Sequence, residues 1–128
     1  MTAFDGWLSS LGSFRRDINQ GREIPFSHTL TFQDEDLTAA AFAGEVKAEP
    51  GQTSAALATM TFGTPALSGT DTVVVATISQ ATINALPENT DKTEPIELAY
   101  DIYVTPSGGS RELAMGGIFK VNAGVAQA

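Results

Sequence analysis

Two runs of alternating apolar residues near the C-terminal end of the chain constrain its fold more than any other feature. They are IELAYDIYVT, residues 96–105, and ELAMGGIFKV, residues 112–121. A period of two is typical of strands that bury one face. The residues predicted on the buried faces are Ile96, Leu98, Tyr100, Ile102 and Val104, then Leu113, Met115, Gly117, Phe119 and Val121. With the glycine-containing turn PSGGS between them, the two runs predict a long antiparallel hairpin that forms part of the core.

The same period recurs upstream in shorter segments. FSHTLTFQ, residues 26–33, places on one face Phe26, His28, Leu30 and Phe32. FAGEVKAEP, ALATMTFG and TVVVATI are three more strand candidates, and TPALSGTD is predicted to be a loop. In SQATINALP, Ser79 suits an N-cap and Pro87 a stop, which predicts one short helical turn. This pattern predicts an all-β, Ig-like antiparallel β-sandwich over residues 25–125, preceded by an extended N-terminal arm over residues 1–24.

The N-terminal 24 residues carry a short helical stripe of large apolar side chains. Its members lie three or four residues apart and are Phe4, Trp7, Leu8, Leu11 and Phe14. Such a stripe cannot bury itself alone, so it either lies on its own domain as a short helix or tail, or docks on a neighbouring subunit. Large aromatic side chains are enriched in binding hot spots, which favours docking. The predicted partner-binding residues are this stripe together with Arg15 and Arg16.

Composition excludes several kinds of site. The 128 residues include no cysteine and one histidine, which excludes thiol nucleophiles and disulfides and leaves only implausible ligand sets for a structural zinc site. The net charge is -8, and the excess of acids follows residue 33, which disfavours binding to nucleic acid or anionic membranes. No apolar stretch approaches the roughly 20 residues of a spanning helix, and no signal peptide is evident. We therefore expect a soluble, non-secreted protein.

The remaining chemical candidates are isolated. His28 shares a strand face with Phe26 and Leu30, where a packed or edge histidine is more common than a general base. The acids Asp34, Glu35 and Asp36 lack the spacing of a calcium loop and indicate a solvated turn. The glycines of MGG, Gly116 and Gly117, predict a bulge or a close approach of another backbone. We therefore predict no enzyme activity, no cofactor and no metal.

Several short motifs together resemble a known family. Their residues are Gly21 with Phe26; Asp36, Leu37, Thr38 and Ala40; Thr82, Leu86 and Pro87; Tyr100, Asp101, Ile102 and Val104; and Gly117 with Val121. In this order they resemble a small β-sandwich domain of tailed-phage virion proteins, similar to the N-terminal domain of baseplate upper proteins and related tail-fibre or adaptor subunits. The likeness spans roughly residues 20–125. The sequence departs from the family pattern at Ala39 and Ala41, near the position where the family usually has a glycine in the turn that follows Asp36.

The resemblance implies a structural role in the virion, with the protein made in the bacterial host cytoplasm. The expected partners are other virion proteins, namely tail, baseplate, neck or capsid subunits, and copies of the chain itself in a symmetric assembly. A capsid decoration protein is the first alternative. A carbohydrate-binding sandwich is the second, with Tyr103, on the polar face of its strand, as the candidate for stacking on a sugar.

Overall fold

The structure is a computed structural model that describes residues 3–50, 55–88 and 94–122. The segments EPGQTS (49–54) and ENTDKTE (88–94) predict a turn and a polar loop. Most of both segments lies outside these ranges, as do residues 123–125 of the predicted domain. No helix within the described ranges is long and apolar enough to cross a membrane. The helices are α1 (Ala3–Leu11), followed by a 3-10 turn (Gly12–Phe14), and α2 (Gln80–Asn84). The strands are β1 (Ile18–Gly21), β2 (Phe26–Phe32), β3 (Ala41–Lys47), β4 (Ala56–Thr59), β5 (Thr61–Phe62), β6 (Ala66–Ser68), β7 (Asp71–Ile78), β8 (Ile96–Thr105) and β9 (Glu112–Asn122).

The strands form two sheets, which confirms the prediction of a mostly β protein with mostly antiparallel pairing. The first sheet has the order β1-β9-β8-β3-β4. The second has the order β2-β7-β5, with β6 also paired to β7. One apolar core joins both sheets, and among its most buried members are Val46, Val74, Ile102 and Phe119. Two sheets that share such a core are consistent with a β-sandwich.

The strongest local patterns are confirmed by the structure. β8 and β9 form the predicted hairpin, in which Leu98 pairs with Phe119 and Tyr100 with Gly117. The predicted helical turn is α2, where the Ser79 hydroxyl accepts a hydrogen bond from the Thr82 backbone N–H at 3.3 Å. These elements were predictable because alternation and capping are local properties of the sequence.

Three local predictions are wrong. The segment ALATMTFG is two strands, since the buried Met60 donates its backbone N–H to the Gly44 carbonyl at 2.8 Å and separates β4 in the first sheet from β5 in the second. The predicted loop TPALSGTD contains β6. In β9, the pairing shifts register between Met115 and Leu113, so Leu113 lies opposite Tyr103 rather than on the core face.

The N-terminal segment is not an arm extended from the domain, and this part of the predicted architecture is corrected. β1 pairs in parallel with β9, with Ile18 opposite Phe119, and Arg15 forms a bridge to Gly116. α1 contacts β9 as well. The segment packs on its own domain because the edge of β9 offers unpaired peptide groups and the adjacent glycines leave room for a second backbone.

Candidate interaction site

Two consecutive glycines in β9, Gly116 and Gly117, leave the space into which the N-terminal segment packs. A Cβ atom at Gly117 would lie 2.5 Å from the carbonyl oxygen of Arg16. A Cβ atom at Gly116 would lie 3.4 Å from the Leu11 side chain and 3.6 Å from the Trp7 ring. The predicted close approach of another backbone is therefore confirmed, and that backbone belongs to the same chain. The bulge lies two residues earlier, at Ala114.

A side chain from the core fixes the position of the Arg16 carbonyl beside these glycines. The Tyr100 hydroxyl donates a hydrogen bond to the Arg16 carbonyl, and the Arg16 backbone N–H donates to the Gly116 carbonyl at 2.8 Å. Burial raises the pKa of the Tyr100 phenol well above its usual range, and the nearby Asp17 carboxylate raises it further. Tyr100 therefore joins the core to the N-terminal segment as a neutral hydrogen-bond donor.

A Tyr100→Phe substitution is expected to lower the free energy of unfolding by about 1–2 kcal/mol at neutral pH, because the part-buried Arg16 carbonyl loses its donor. Since the folded-state pKa of Tyr100 is raised, its contribution is fully present below the unfolded-state pKa of about 10 and declines as pH rises above it. Chemical denaturation between pH 7 and pH 11 should therefore show the wild type and the variant converging. A difference between wild type and Tyr100→Phe that stays constant over this pH range would contradict the assignment.

Asp17 completes the attachment of the segment to β9. Its Oδ1 accepts a hydrogen bond from the Ile118 backbone N–H at 3.1 Å. The Arg15 guanidinium donates to both carboxylate oxygens, at 3.1 and 2.8 Å, and these bonds hold the pKa of Asp17 below its usual range. The charge of Arg15 is thus paired within the segment. Arg16 is exposed, and its guanidinium donates to the carbonyls of Ser13 and Arg15.

The apolar stripe predicted to bind a partner is divided by the fold. Leu11 is buried, at 4% exposure, and Trp7 and Leu8 are half-buried. Phe4 lies in α1, but its side chain is outside the described part of the structure. Phe14 is 51% exposed. Among the described members of the stripe, Phe14 therefore offers the largest open apolar surface.

Phe14 stands at one side of a groove between the two sheets, here called the edge groove. One wall is the N-terminal segment with Phe14, Arg16 and Ile18, and the other wall is residues 28–32 of β2. Met115 lies between the walls, and the cavity volume is about 450 Å³. A second hollow of about 550 Å³ shares Phe14 with it and extends towards Val104.

His28 lines the edge groove and is half-buried. Its ring stacks on Phe26, with 6.4 Å between the ring centroids. This placement confirms the prediction of a packed or edge histidine.

The acidic turn has a structural explanation. Asp36 Oδ1 accepts hydrogen bonds from the Thr38 backbone N–H at 3.1 Å and hydroxyl at 2.7 Å, which lower the pKa of its carboxyl. Asp34 has a φ of 57°, and its carboxylate accepts from the Thr70 hydroxyl at 2.9 Å. Glu35 is exposed. No group of three or more potential metal ligands is found across residues 3–50, 55–88 and 94–122.

Arg22 is a structural residue whose role the sequence did not reveal. It is 5% exposed, and its guanidinium donates to the carbonyls of Leu86 at 2.9 Å and Pro87 at 2.8 Å, with longer contacts to those of Ile83 and Asn84. These carbonyls lie at the C-terminal end of α2, where a cation is favoured. A separation of more than 60 residues gave no local signal of this contact.

Tyr103 lies on the outer face of β8, away from the edge groove. The guanidinium carbon of Arg111 sits 3.7 Å from the centre of its ring. A sugar could stack on that face of Tyr103 only by displacing Arg111. The carbohydrate alternative therefore gains no support from this residue.

The edge groove combines walls of mixed polar and apolar residues, an exposed aromatic ring and the edge of a strand, which suits contact with another polypeptide. No protein-family model matches the chain, and no curated protein matches it.

Proposed function

We propose that this protein is a non-enzymatic structural subunit of a tailed-bacteriophage virion, acting in the tail, baseplate or neck or as a fibre adaptor. Its partners are other virion subunits and copies of itself. The observation that carries the proposal is the edge groove, where the half-exposed Phe14 stands beside the edge of β2. An exposed aromatic side chain next to a strand edge is typical of a surface that binds another chain.

The residues that resemble the phage family support the proposal through their structural roles. Tyr100 and Gly117 together hold the N-terminal segment. Leu37 is buried beside the Asp36 turn, and its backbone N–H donates to the Thr72 hydroxyl at 2.8 Å. The backbone carbonyls of Leu86 and Pro87 accept hydrogen bonds from the Arg22 guanidinium. The motifs thus coincide with positions that determine this fold, as shared motifs of a domain family would.

The proposal includes an Ig-like arrangement of the sheets. The order β9-β8-β3-β4 matches G-F-C-C′ of a variable-type Ig domain, and the pair β2-β7 matches B-E. In that correspondence β1 lies beside strand G in parallel. This strand order favours the Ig-like topology over other two-sheet arrangements.

Mass spectrometry of purified virions tests the location. We expect roughly three to eighteen copies of the chain per particle, as closed rings and fibre attachments require. The major capsid protein serves as the internal standard for this count. A count in the hundreds would instead assign it to capsid decoration. Absence from the particle would overturn the virion function.

A Phe14→Ser substitution should reduce incorporation of the chain into virions by about tenfold or more, because truncating a central aromatic contact weakens binding by at least 1–2 kcal/mol. Leu67→Ser is the matched control, since Leu67 is 52% exposed but lies on β6, away from the edge groove. Quantitative mass spectrometry of particles assembled with each variant supplies the measurement. Equal incorporation of both variants would remove Phe14 from the contact surface.

A further inference from the structure

Among residues 3–50, 55–88 and 94–122, no strand pairs with one edge of β2 along its full length of seven residues. Within the described residues its one strand neighbour is β7. The Gly63 N–H donates to the Val75 carbonyl at 2.9 Å, so the odd-numbered residues of β7 direct their peptide groups towards β5. The even-numbered residues of β7 then bond to the even-numbered residues of β2. The peptide groups directed to the free edge of β2 are consequently those of Ser27, Thr29 and Thr31.

This edge lacks the features that usually prevent pairing with another chain. Lysine, proline, bulges and short length are the common protections of edge strands. Residues 26–32 contain no lysine, proline or acid, and their pairing with β7 shows no register shift. By contrast, the edge strands β1 and β4 each have four residues, and β4 pairs across a register shift. β2 is therefore the described edge best suited to accept another strand.

Comparison with the Ig fold indicates which strand would lie at the free edge of β2. In constant-type Ig domains the sheet order is A-B-E-D, so strand A lies antiparallel to strand B. Here β2 corresponds to B, and the residues before it pair with β9 in the other sheet. The edge groove lies where strand A would be.

We propose that a second copy of this chain fills this position, with the two β2 strands pairing antiparallel about a twofold axis at Thr29. The sequence FSHTLTF is nearly symmetric about Thr29. Such pairing places Ser27 opposite Thr31 and Thr29 opposite itself, which are favourable cross-strand pairs. In this register the peptide groups of Ser27, Thr29 and Thr31, which point to the free edge, form hydrogen bonds with the same three residues of the other copy. The inference rests on the proposed assembly function, because it names the partner at the edge groove.

Charge favours a second copy at this edge over other faces of the molecule. Each chain carries a net charge of -8, so two copies repel over most of their surfaces. Residues 26–33 contain no acid, lysine or arginine. The repulsion is therefore smallest where the strands meet, and the dimer should tighten as salt concentration rises.

Size-exclusion chromatography with light scattering on the purified full chain tests the pairing. We expect a mass of twice 13.4 kDa for the wild type. Thr29→Lys places two like charges opposite each other and should raise the dimer dissociation constant by about tenfold or more. Thr61→Lys is the control, since Thr61 lies on the same outer face but on β5, and it should remain dimeric.

Hydrogen exchange of the wild type gives a second readout that does not depend on a variant. The amides of Ser27, Thr29 and Thr31 should gain protection as protein concentration rises, whereas those of His28 and Leu30 should be protected at all concentrations. A monomeric wild type at about 100 µM, well above the micromolar affinity of a modest interface, would overturn the pairing. So would a dimer unaffected by Thr29→Lys or uniform exchange along β2. These outcomes concern purified protein, so they leave the virion function to be decided by particle counts.

Discussion

An Arg22→Met substitution is expected to lower the free energy of unfolding by about 3–5 kcal/mol, because it removes several charge-assisted hydrogen bonds at once and leaves buried carbonyls without donors. Arg22 is almost fully buried and bonds to the carbonyls of Leu86 and Pro87. It therefore fixes the turn before β2 to the end of α2. Methionine fills similar space but donates no hydrogen bond. Urea denaturation followed by circular dichroism measures the loss.

The matched control for Arg22→Met is Arg111→Met, which removes the same charge from an exposed site. Arg111 stacks on Tyr103, and its loss should lower stability by about 1 kcal/mol or less. Arg22→Lys should fall between the two, since an ammonium keeps the charge but lacks the planar fork that reaches two carbonyls. If the two methionine variants are equally stable, the buried contacts of Arg22 do not contribute as we infer.

A Gly117→Ala substitution should release the N-terminal segment from β9 and destabilise the protein by about 2–4 kcal/mol. The new methyl group would lie 2.5 Å from the Arg16 carbonyl oxygen, and backbone atoms cannot yield as a side chain can. The shift would also break the hydrogen bond that the carbonyl receives from Tyr100. Trp7 contacts the adjacent Gly116 region and is the sole tryptophan, so its fluorescence should move to longer wavelength.

Gly63→Ala is the control for Gly117→Ala. A Cβ atom at Gly63 would meet its nearest neighbour, the Val75 carbonyl oxygen, at 3.9 Å, an ordinary van der Waals distance. This variant should keep the wild-type stability within about 0.5 kcal/mol and the wild-type Trp7 fluorescence. Unchanged fluorescence and stability in Gly117→Ala would show that the segment does not depend on this glycine.

The candidate site could be predicted only in part. The stripe that contains Phe14 was visible because helical spacing is a local property of the sequence. Which of its members would be buried depended on Gly116, about 100 residues away, and could not be read from spacing. His28 was correctly placed on the apolar face of its strand, but no local pattern indicates that the other edge of β2 has no strand partner among the described residues.

The failures in the fold share this cause. β1 has the sequence INQG, which shows no alternation, and it forms a strand because Ile18 lies beside Phe119. ALATMTFG places Ala58, Met60 and Phe62 on one face as a single strand would, yet the hydrogen bond from Met60 to Gly44 divides it between two sheets. In both places a contact between distant residues overrides the local pattern.

The sequence by itself determined the β8–β9 hairpin, the core face of β2, the capped turn at Ser79 and the absence of cysteine chemistry, because each depends on residues that are neighbours in the chain or on composition. The tertiary structure alone decided that the N-terminal segment pairs with β9 and that Arg22 bonds to the carbonyls after α2. It also decided that one edge of β2 has no strand partner within the described part of the chain. Strand neighbours and buried polar contacts are chosen when the whole core packs, since every peptide group must then find a partner or remain at the surface.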